Sequence, residues 1–201
     1  NTLTLNGGGN TITSFTPGTR NVTGTTTGQI DAIFNLVGAD FVTIKRFTFS
    51  ENSANTNNTQ AMEAAVALFN VGSTAGSANG CQFITIDSNT VNFSNLASTG
   101  EGGFAFAAYP YVYNTTTAAS WTGNSSDIHR SFQVTNNTIN QGYNGVLFRG
   151  STSAQARALI VINNKFLNMG GAATSGYGIY TLYLDSMIAN SNEITFDVAH
   201  T

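Results

Sequence analysis

The sequence predicts an all-β fold of the solenoid type, a parallel β-helix in which strands stack in successive coils. Three observations favour it. A unit of alternating apolar strand, turn and Asn-x-apolar recurs along the chain. A second apolar strand lies between consecutive units. Charged residues make up 8% and hydrophobic residues 41% of the chain, so its polar surface must be mainly Thr, Asn, Ser and Gly, which suits short strands joined by turns.

The recurring unit has the same order of strand, turn and asparagine wherever it occurs. Its copies are LTLNGGGNTI (3–12), ITIDSNTV (84–91), FQVTNNTI (132–139), IVINNKF (160–166) and MIANSNEI (187–194), and VTIKRFTF (42–49) has the same order with Phe47 in the place of Asn. The separation between copies varies along the chain. This excludes repeats of fixed length and is typical of a coil whose strands are fixed while its loops vary in length.

Between these units lie second strands that complete each coil. They are AIFNLVG (32–38), AVALFNVG (65–72), GFAFAAYPYVY (103–113), NGVLFRG (144–150) and GIYTLYL (178–184). We therefore predict one domain over residues 1–201, with about five to six coils. We expect it to be a segment of a longer chain, because an uncapped solenoid exposes sheet edges that flanking coils or neighbouring subunits should cover.

The asparagine of each unit is predicted to form a buried ladder. A chain that bends sharply in every coil buries backbone N–H and C=O groups, and an inward Asn can bond both to them and to the Asn of the next coil. The expected members are Asn10, Asn89, Asn137, Asn164 and Asn192, with an interruption at Phe47. A β-sandwich is the alternative fold, but it does not predict an asparagine at the same point of every cycle.

The pattern apolar-x-apolar, x-x-Asn-x-apolar and the opening LNGGGNTI resemble the right-handed parallel β-helix proteins of the pectin-lyase-like superfamily over nearly the whole chain. The resemblance implies a right-handed coil. It does not select an activity, because the superfamily includes polysaccharide lyases and hydrolases, phage tailspikes and catalytically silent surface proteins.

The catalytic motifs of those relatives are missing. Polygalacturonase-like members carry adjacent aspartates and a Gly-His-Gly element, whereas this sequence has no Asp-Asp pair and no glycine beside His129 or His200. The arginine–proline spacing of pectate-lyase-like members is also absent. We therefore expect no catalytic residues and a secreted or cell-surface segment that acts as an adhesin, a fibre or a binding module. The alternative is a polysaccharide lyase or glycoside hydrolase with a non-standard site.

One set of carboxylates could hold a cation. Each of its members lies three residues before an apolar residue of a second strand, so that stacked coils would place them in a row at one sheet edge. Calcium would neutralise such a row. The residues are Asp31, Glu63 and Glu101. Coincidental spacing of separate loop residues is the alternative. Arg149, which alternates outward between Phe148 and Gly150, could lie on the same face.

Aromatic residues give a second candidate site. Strand alternation would place the three tyrosines of AFAAYPYVYN on the outer face of a sheet, where they could bind a glycan or a surface protein. The candidate binding residues are Tyr109, Tyr111, Tyr113, Trp121 and Arg149. Alternatively, the segment 114–130 folds back over the tyrosines and the rings serve only loop packing.

Other function classes receive little support. A net charge of −3 with seven basic residues argues against nucleic acid, and no apolar run is long enough to span a membrane. Cys81 lies in the apolar context CQFITI and is expected to be a buried free thiol. No nucleophile lies at a recognisable spacing from Asp127 and His129, so these residues are expected to close a loop.

Overall fold

All regular structure in the computed structural model is β-strand. The structure describes residues 1–16, 30, 32–57, 60–93, 103–115, 117–124, 126–170 and 176–196, and no helix occurs in these ranges. The strands are β1 Leu3–Asn6, β2 Thr11–Thr13, β3 Ala32–Val37, β4 Val42–Lys45, β5 Thr48–Ser50, β6 Ala64–Asn70, β7 Gln82–Asp87, β8 Thr90–Asn92, β9 Phe104–Val112, β10 Arg130–Thr135, β11 Thr138–Asn140, β12 Asn144–Arg149, β13 Arg157–Ile162, β14 Lys165–Met169, β15 Tyr177–Leu182, β16 Met187–Asn190 and β17 Glu193–Phe196.

The strands form three sheets, and every pair of neighbouring strands is parallel. The first sheet has the order β1-β4-β7-β10-β13-β16, the second β2-β5-β8-β11-β14-β17, and the third β3-β6-β9-β12-β15. The chain thus adds one strand to each sheet in turn and then returns to the first. This confirms the predicted all-β fold with stacked parallel strands, and it excludes the β-sandwich, whose sheets are antiparallel.

The interior consists of columns of apolar side chains. In each of the three sheets, inward residues at equivalent positions of successive coils form one column. Parallel register brings each inward residue over its counterpart one coil away, about 4.8 Å distant. The columns are Ile44, Ile86, Val134 and Val161 in the first sheet, Phe49, Val91, Ile139 and Phe166 in the second, and Val66, Phe106 and Val146 in the third, all with no exposed surface. Burial of each such side chain contributes roughly 1.5–3 kcal/mol.

The turn from the first sheet to the second explains the paired amides of the sequence. Asn136 has a φ of 56° and Asn163 a φ of 58°, a left-handed conformation that short polar residues tolerate. The residue that follows each of them points inward. The first amide of each pair therefore makes the turn, and the second enters the core.

Four inward asparagines are hydrogen-bonded in series, and we call Asn89, Asn137, Asn164 and Asn192 the asparagine series. The Oδ1 atoms of Asn137, Asn164 and Asn192 each accept from both the backbone N–H and the Nδ2–H of the member one coil earlier, at distances of 2.8–3.1 Å. Each Nδ2 also donates to a backbone carbonyl of the preceding coil, as Asn137 does to Ile86 at 2.9 Å. The amides thereby satisfy backbone groups that the turns bury.

The first two coils depart from this arrangement. The backbone N–H of Phe47 donates to Asn89 Oδ1 at 3.0 Å, but its ring packs against Phe49 and offers no amide. Asn10 donates to the carbonyl of Gly7 in its own turn at 2.8 Å and makes no hydrogen bond to the series. Phe47 therefore contributes no side-chain amide to the series, and Asn10, which the sequence predicts as a member, hydrogen-bonds within its own turn.

Candidate binding face on the third sheet

The middle strands of the third sheet, β6, β9 and β12, are buried on both faces, and a second apolar cluster lies on their outer side. The members of this cluster are Ile30, Ala64, Ala67, Phe69, Phe104, Ala107, Tyr109, Tyr111 and Leu147. Ala67 and Ala107 occupy one column across neighbouring coils. Because they are small, they leave room for the large rings beside them, and Phe69 stacks on Tyr109 with centroids 5.6 Å apart.

Tyr109 and Tyr111 are buried, which corrects the expectation that they form an exposed stripe. Both belong to the outer cluster, but the segment after β9 folds back over them. Ala118 forms an antiparallel bridge with Tyr111, and the Ala119 N–H donates to the Pro110 carbonyl at 2.9 Å. The alternative interpretation, in which the loop covers the rings, therefore describes these two tyrosines.

Trp121 anchors that loop from within and is not available to a partner, which corrects its assignment as a binding residue. Its ring is buried, and Nε1–H donates to Asn70 Oδ1 at 3.0 Å. Asn70 Nδ2 in turn donates to the carbonyls of Tyr109 and Tyr111. Sequence reasoning missed Asn70, although a polar residue within the apolar run AVALFNVG could have signalled a buried partner.

His129 fastens the other end of the loop. Its Nδ1 accepts from the Cys81 backbone N–H at 2.9 Å, so Nε2 carries the proton and donates to the Tyr109 carbonyl at 2.7 Å. Complete burial lowers the pKa of His129 to about 4. Asp127 Oδ2 accepts from the Thr122 backbone N–H at 2.6 Å and from its hydroxyl. Both residues close the loop, as the sequence predicts.

The free cysteine is buried as expected. Burial raises the pKa of the Cys81 thiol to about 12, and Sγ–H lies within hydrogen-bonding distance of the Leu36 and Phe69 carbonyls, at 3.3 and 3.4 Å. A protonated, enclosed thiol does not react as a nucleophile.

Tyr113 is the one tyrosine of the predicted stripe that reaches solvent. It is 41% exposed, and its ring packs against Phe69 with centroids 5.4 Å apart. Asn35 Nδ2 lies 3.5 Å from the Tyr113 hydroxyl, at the limit of a hydrogen bond. Asn35 Oδ1 is buried without a hydrogen-bond partner among the described residues. The half-exposed ring of Tyr113 thus lies beside an amide whose oxygen is enclosed by the protein.

Arg149 lies on the same side of the third sheet, as predicted for an outward residue. Its guanidinium carbon is 5.6 Å from the centroid of the Tyr111 ring, within the range of a cation–π interaction. Arg149 is partly exposed, whereas Tyr111 is buried. We call Asn35, Tyr111, Tyr113 and Arg149 the Tyr113 cluster.

The structure tests only one member of the predicted calcium row. Glu63 is buried with 1% of its surface exposed, and it has an interaction partner. Asp31 and Glu101 lie outside the described residues. Within those residues no three His, Cys, Asp or Glu side chains come together as a metal-binding group. The row stays a prediction.

Glu51 is a carboxylate that sequence reasoning missed. Its Oε1 accepts from Ser14 Oγ at 2.7 Å and from Asn55 Nδ2 at 2.8 Å, while Oε2 accepts from the Met62 backbone N–H. It therefore ties the loop after β5 to the neighbouring coil. The asparagine-rich stretch ENSANTNN offered a weak signal, because carboxylates commonly organise such turns.

Comparisons of the chain with family models, with curated proteins and with solved structures found no match. In the described part of the chain, no helix has the length and apolar character needed to cross a membrane.

Proposed function

We propose that this chain is a non-catalytic, extracellular segment of a right-handed parallel β-helix that binds a saccharide at the Tyr113 cluster. The observation that carries the binding proposal is the Tyr113 ring, which is 41% exposed and packs against Phe69, with its hydroxyl group beside the Asn35 amide. An aromatic ring flanked by hydrogen-bonding groups suits a sugar, which has an apolar ring face and hydroxyl groups at its edge.

The architecture proposed here has two further elements, a right-handed coil and an internal asparagine ladder. Crossover connections between parallel strands are right-handed in nearly all proteins, because strand twist favours that hand. The hydrogen bonds of the asparagine series, from Asn89 to Asn192, support a ladder that holds the turns in register. The resemblance to the pectin-lyase-like superfamily agrees with both.

The roles proposed for the members of the Tyr113 cluster follow from their chemistry. The Tyr113 ring would stack on the apolar face of a sugar, and its hydroxyl group would exchange a hydrogen bond with a sugar hydroxyl. The Arg149 guanidinium, placed over Tyr111, would donate to ring or hydroxyl oxygens. Because Phe69 supports the Tyr113 ring from behind, the ring would lose little freedom on binding.

A non-catalytic role is supported by the charged and nucleophilic groups near this face, because they are buried or hydrogen-bonded within the protein. His129 is neutral and uses both ring nitrogens to hold the loop, and Asp127 closes the same loop. Cys81 is protonated within the core. The extracellular location is proposed from the sparsely charged, Thr- and Asn-rich composition.

The binding proposal is tested by screening the chain on an array of neutral and acidic oligosaccharides, then titrating any ligand found. Tyr113→Ala should weaken binding about tenfold, since stacking interactions contribute roughly 0.5–1.5 kcal/mol and the ring also orders its neighbours. Tyr183→Ala is the matched control, because Tyr183 is similarly exposed, at 46%, and is not one of the cluster residues. An array with no bound glycan, or equal losses in both variants, contradicts the proposal.

A further inference from the structure

Two columns of side chains run along the corner where the third sheet leads into the first. Register places Asp40, Gln82, Arg130 and Arg157 one above another on four successive coils. The adjacent column contains Phe41, Phe83, Ser131 and Ala158, and all four have a left-handed backbone with φ between 54° and 58°. Large side chains thus occupy the first two rungs of this second column, and small ones the next two.

The two phenylalanines occupy backbone positions that cost conformational free energy. Left-handed backbone costs a residue with a Cβ about 1–2 kcal/mol, and bulky residues rarely adopt it. Phe41 and Phe83 stack with centroids 4.7 Å apart, yet they stay 46% and 40% exposed. Serine and alanine satisfy the same turn two coils later. The turn therefore does not require the rings, and they form an apolar ridge that the fold leaves in solvent.

Charge along the first column is also uneven. Asp40 is exposed at one end of the four coils and Arg157 at the other. Arg157 is 3.8 Å from Asp185, and both side chains are more than half exposed, so this ion pair is weak. Arg130 lies over the Phe83 ring at 5.0 Å and donates from Nε to Gln82. Asp40 thus lies in the coil of Phe41, whereas Arg130 and Arg157 lie in the coils of Ser131 and Ala158. Asp185 continues the column one coil beyond Arg157.

We propose that this corner is a self-association surface on which a second copy of the chain docks in antiparallel orientation. A two-fold axis across the corner, perpendicular to the stack of coils, places each column opposite the same column of the second copy in reversed order. Phe83 then faces Ser131, and Phe41 faces Ala158. The same rotation brings Asp40 opposite Arg157. One two-fold rotation therefore places large side chains opposite small ones and opposite charges opposite each other.

The expected complex is weak because the surface is narrow. Four coils span about 15 Å at the spacing of parallel strands. Such a ridge buries less than the roughly 1,200 Å² of the smallest stable interfaces, which places it among transient contacts. Concentration-dependent dimerisation is therefore expected, not a permanent dimer. The self-association is independent of saccharide binding, since it uses none of the residues of the Tyr113 cluster.

The charge complementarity can be tested with two reversals, Asp40→Arg and Arg157→Asp, studied by analytical ultracentrifugation of the 201-residue chain. Each variant alone places like charges opposite each other twice, so dimerisation should weaken about tenfold or more. An equimolar mixture restores opposite charges at both positions and should form a heterodimer at the wild-type concentration. Lys165→Asp on the second sheet is the matched control and should leave dimerisation unchanged.

A test of the ridge itself uses Phe83→Ser, which places the side chain of the fourth coil on the third. It should weaken dimerisation while circular dichroism and thermal melting show a folded chain. A chain that stays monomeric at every concentration overturns the proposal. So does a dimer that the charge reversals and Phe83→Ser leave unchanged, or a mixture of the two reversals that remains monomeric.

Discussion

The side chain of Asn164 accepts two hydrogen bonds from Asn137 at a single oxygen atom. The backbone N–H of Asn137 lies 2.9 Å from Asn164 Oδ1, and its Nδ2 lies 3.0 Å from the same atom. Asn137 in turn donates from Nδ2 to the Ile86 carbonyl of the coil before. One amide therefore connects three consecutive coils, and its removal should affect all of them.

Replacing Asn137 with leucine should destabilise the fold strongly. The change keeps the volume but removes the oxygen that accepts from the buried backbone N–H and the buried Nδ2–H of Asn89, which costs about 1–3 kcal/mol for each group. We expect a loss of roughly 3 kcal/mol or more in the free energy of unfolding by urea. Asn136→Gly is the control, because this exposed neighbour has a φ of 56° that glycine adopts freely. Equal stability of the two variants contradicts the role given to Asn137.

The stability of the fold should depend on pH through His129. Burial lowers the pKa of this residue to about 4, whereas an unfolded chain has a histidine pKa near 6.5. The unfolded state therefore binds more protons between these values. The stabilisation is fully present above pH of about 6.5, falls as the pH decreases towards about 4, and totals roughly 3 kcal/mol. Urea unfolding at several pH values measures it.

The variant His129→Gln separates the loss of stability caused by protonation of His129 from other effects of acid. A glutamine side chain has both an acceptor and a donor but no charge in this range, so its unfolding free energy should be flat across the same window. Partial burial alone would raise the pKa of Asp87, but hydrogen bonds from Thr135, Asn136 and Ser88 lower it overall. Its contribution is lost only below the ordinary aspartate pKa. A wild-type chain that is equally stable at both ends of the window contradicts the account of His129.

The Cys81 thiol should report on unfolding of the chain. Burial keeps it protonated with a pKa of about 12 and out of reach of reagents, and it is the single cysteine. We expect dithionitrobenzoate to react with it only after unfolding in urea, with the same midpoint as the far-ultraviolet circular dichroism. Rapid reaction of the folded chain at neutral pH would show that the region between β6 and β7 opens locally.

Close contact between successive coils at Gly145 should make any larger residue there destabilising. A Cβ atom there would lie 2.3 Å from the carbonyl oxygen of Gly178 and 2.4 Å from a ring carbon of Phe166. Gly145→Ala should therefore push neighbouring coils apart and cost about 1–3 kcal/mol or more in thermal or urea unfolding. Gly8→Ala tests backbone strain without a clash, since its φ is 61° and nothing lies within 4 Å. The cost of Gly8→Ala should be about 1–2 kcal/mol, the cost of placing a Cβ atom on left-handed backbone.

Sequence alone predicted the stacked parallel strands because each feature of the repeat depends on residues that are close together in the chain. The pair Asn136 and Asn137 occupies a turn that recurs at Asn163 and Asn164, and strand alternation identifies the inward Ile139 and Phe166. Each of these features depends only on residues a few positions apart. The order of strands then follows from the order of the repeats along the chain.

The sequence left open whether the outward tyrosines are covered by the segment 114–130. Alternation placed Tyr109 and Tyr111 on the outer face of β9, but their burial depends on a loop that reaches Asn70 through Trp121. That contact joins residues far apart in the chain, and nothing near the tyrosines encodes it. The same reason explains why Glu51, which organises its loop through Ser14 of the preceding coil, was missed.

The most direct test of the stacked coils and their buried amides is hydrogen exchange of asparagine side chains measured by nuclear magnetic resonance. The Nδ2 groups of Asn89, Asn137 and Asn164 are buried and hydrogen-bonded, while those of Asn136 and Asn163 lie at the surface. We predict that the three buried side-chain amides exchange as slowly as the backbone amides of the central strands. Exchange as fast as that of Asn136 and Asn163 would contradict a fold held together by this series.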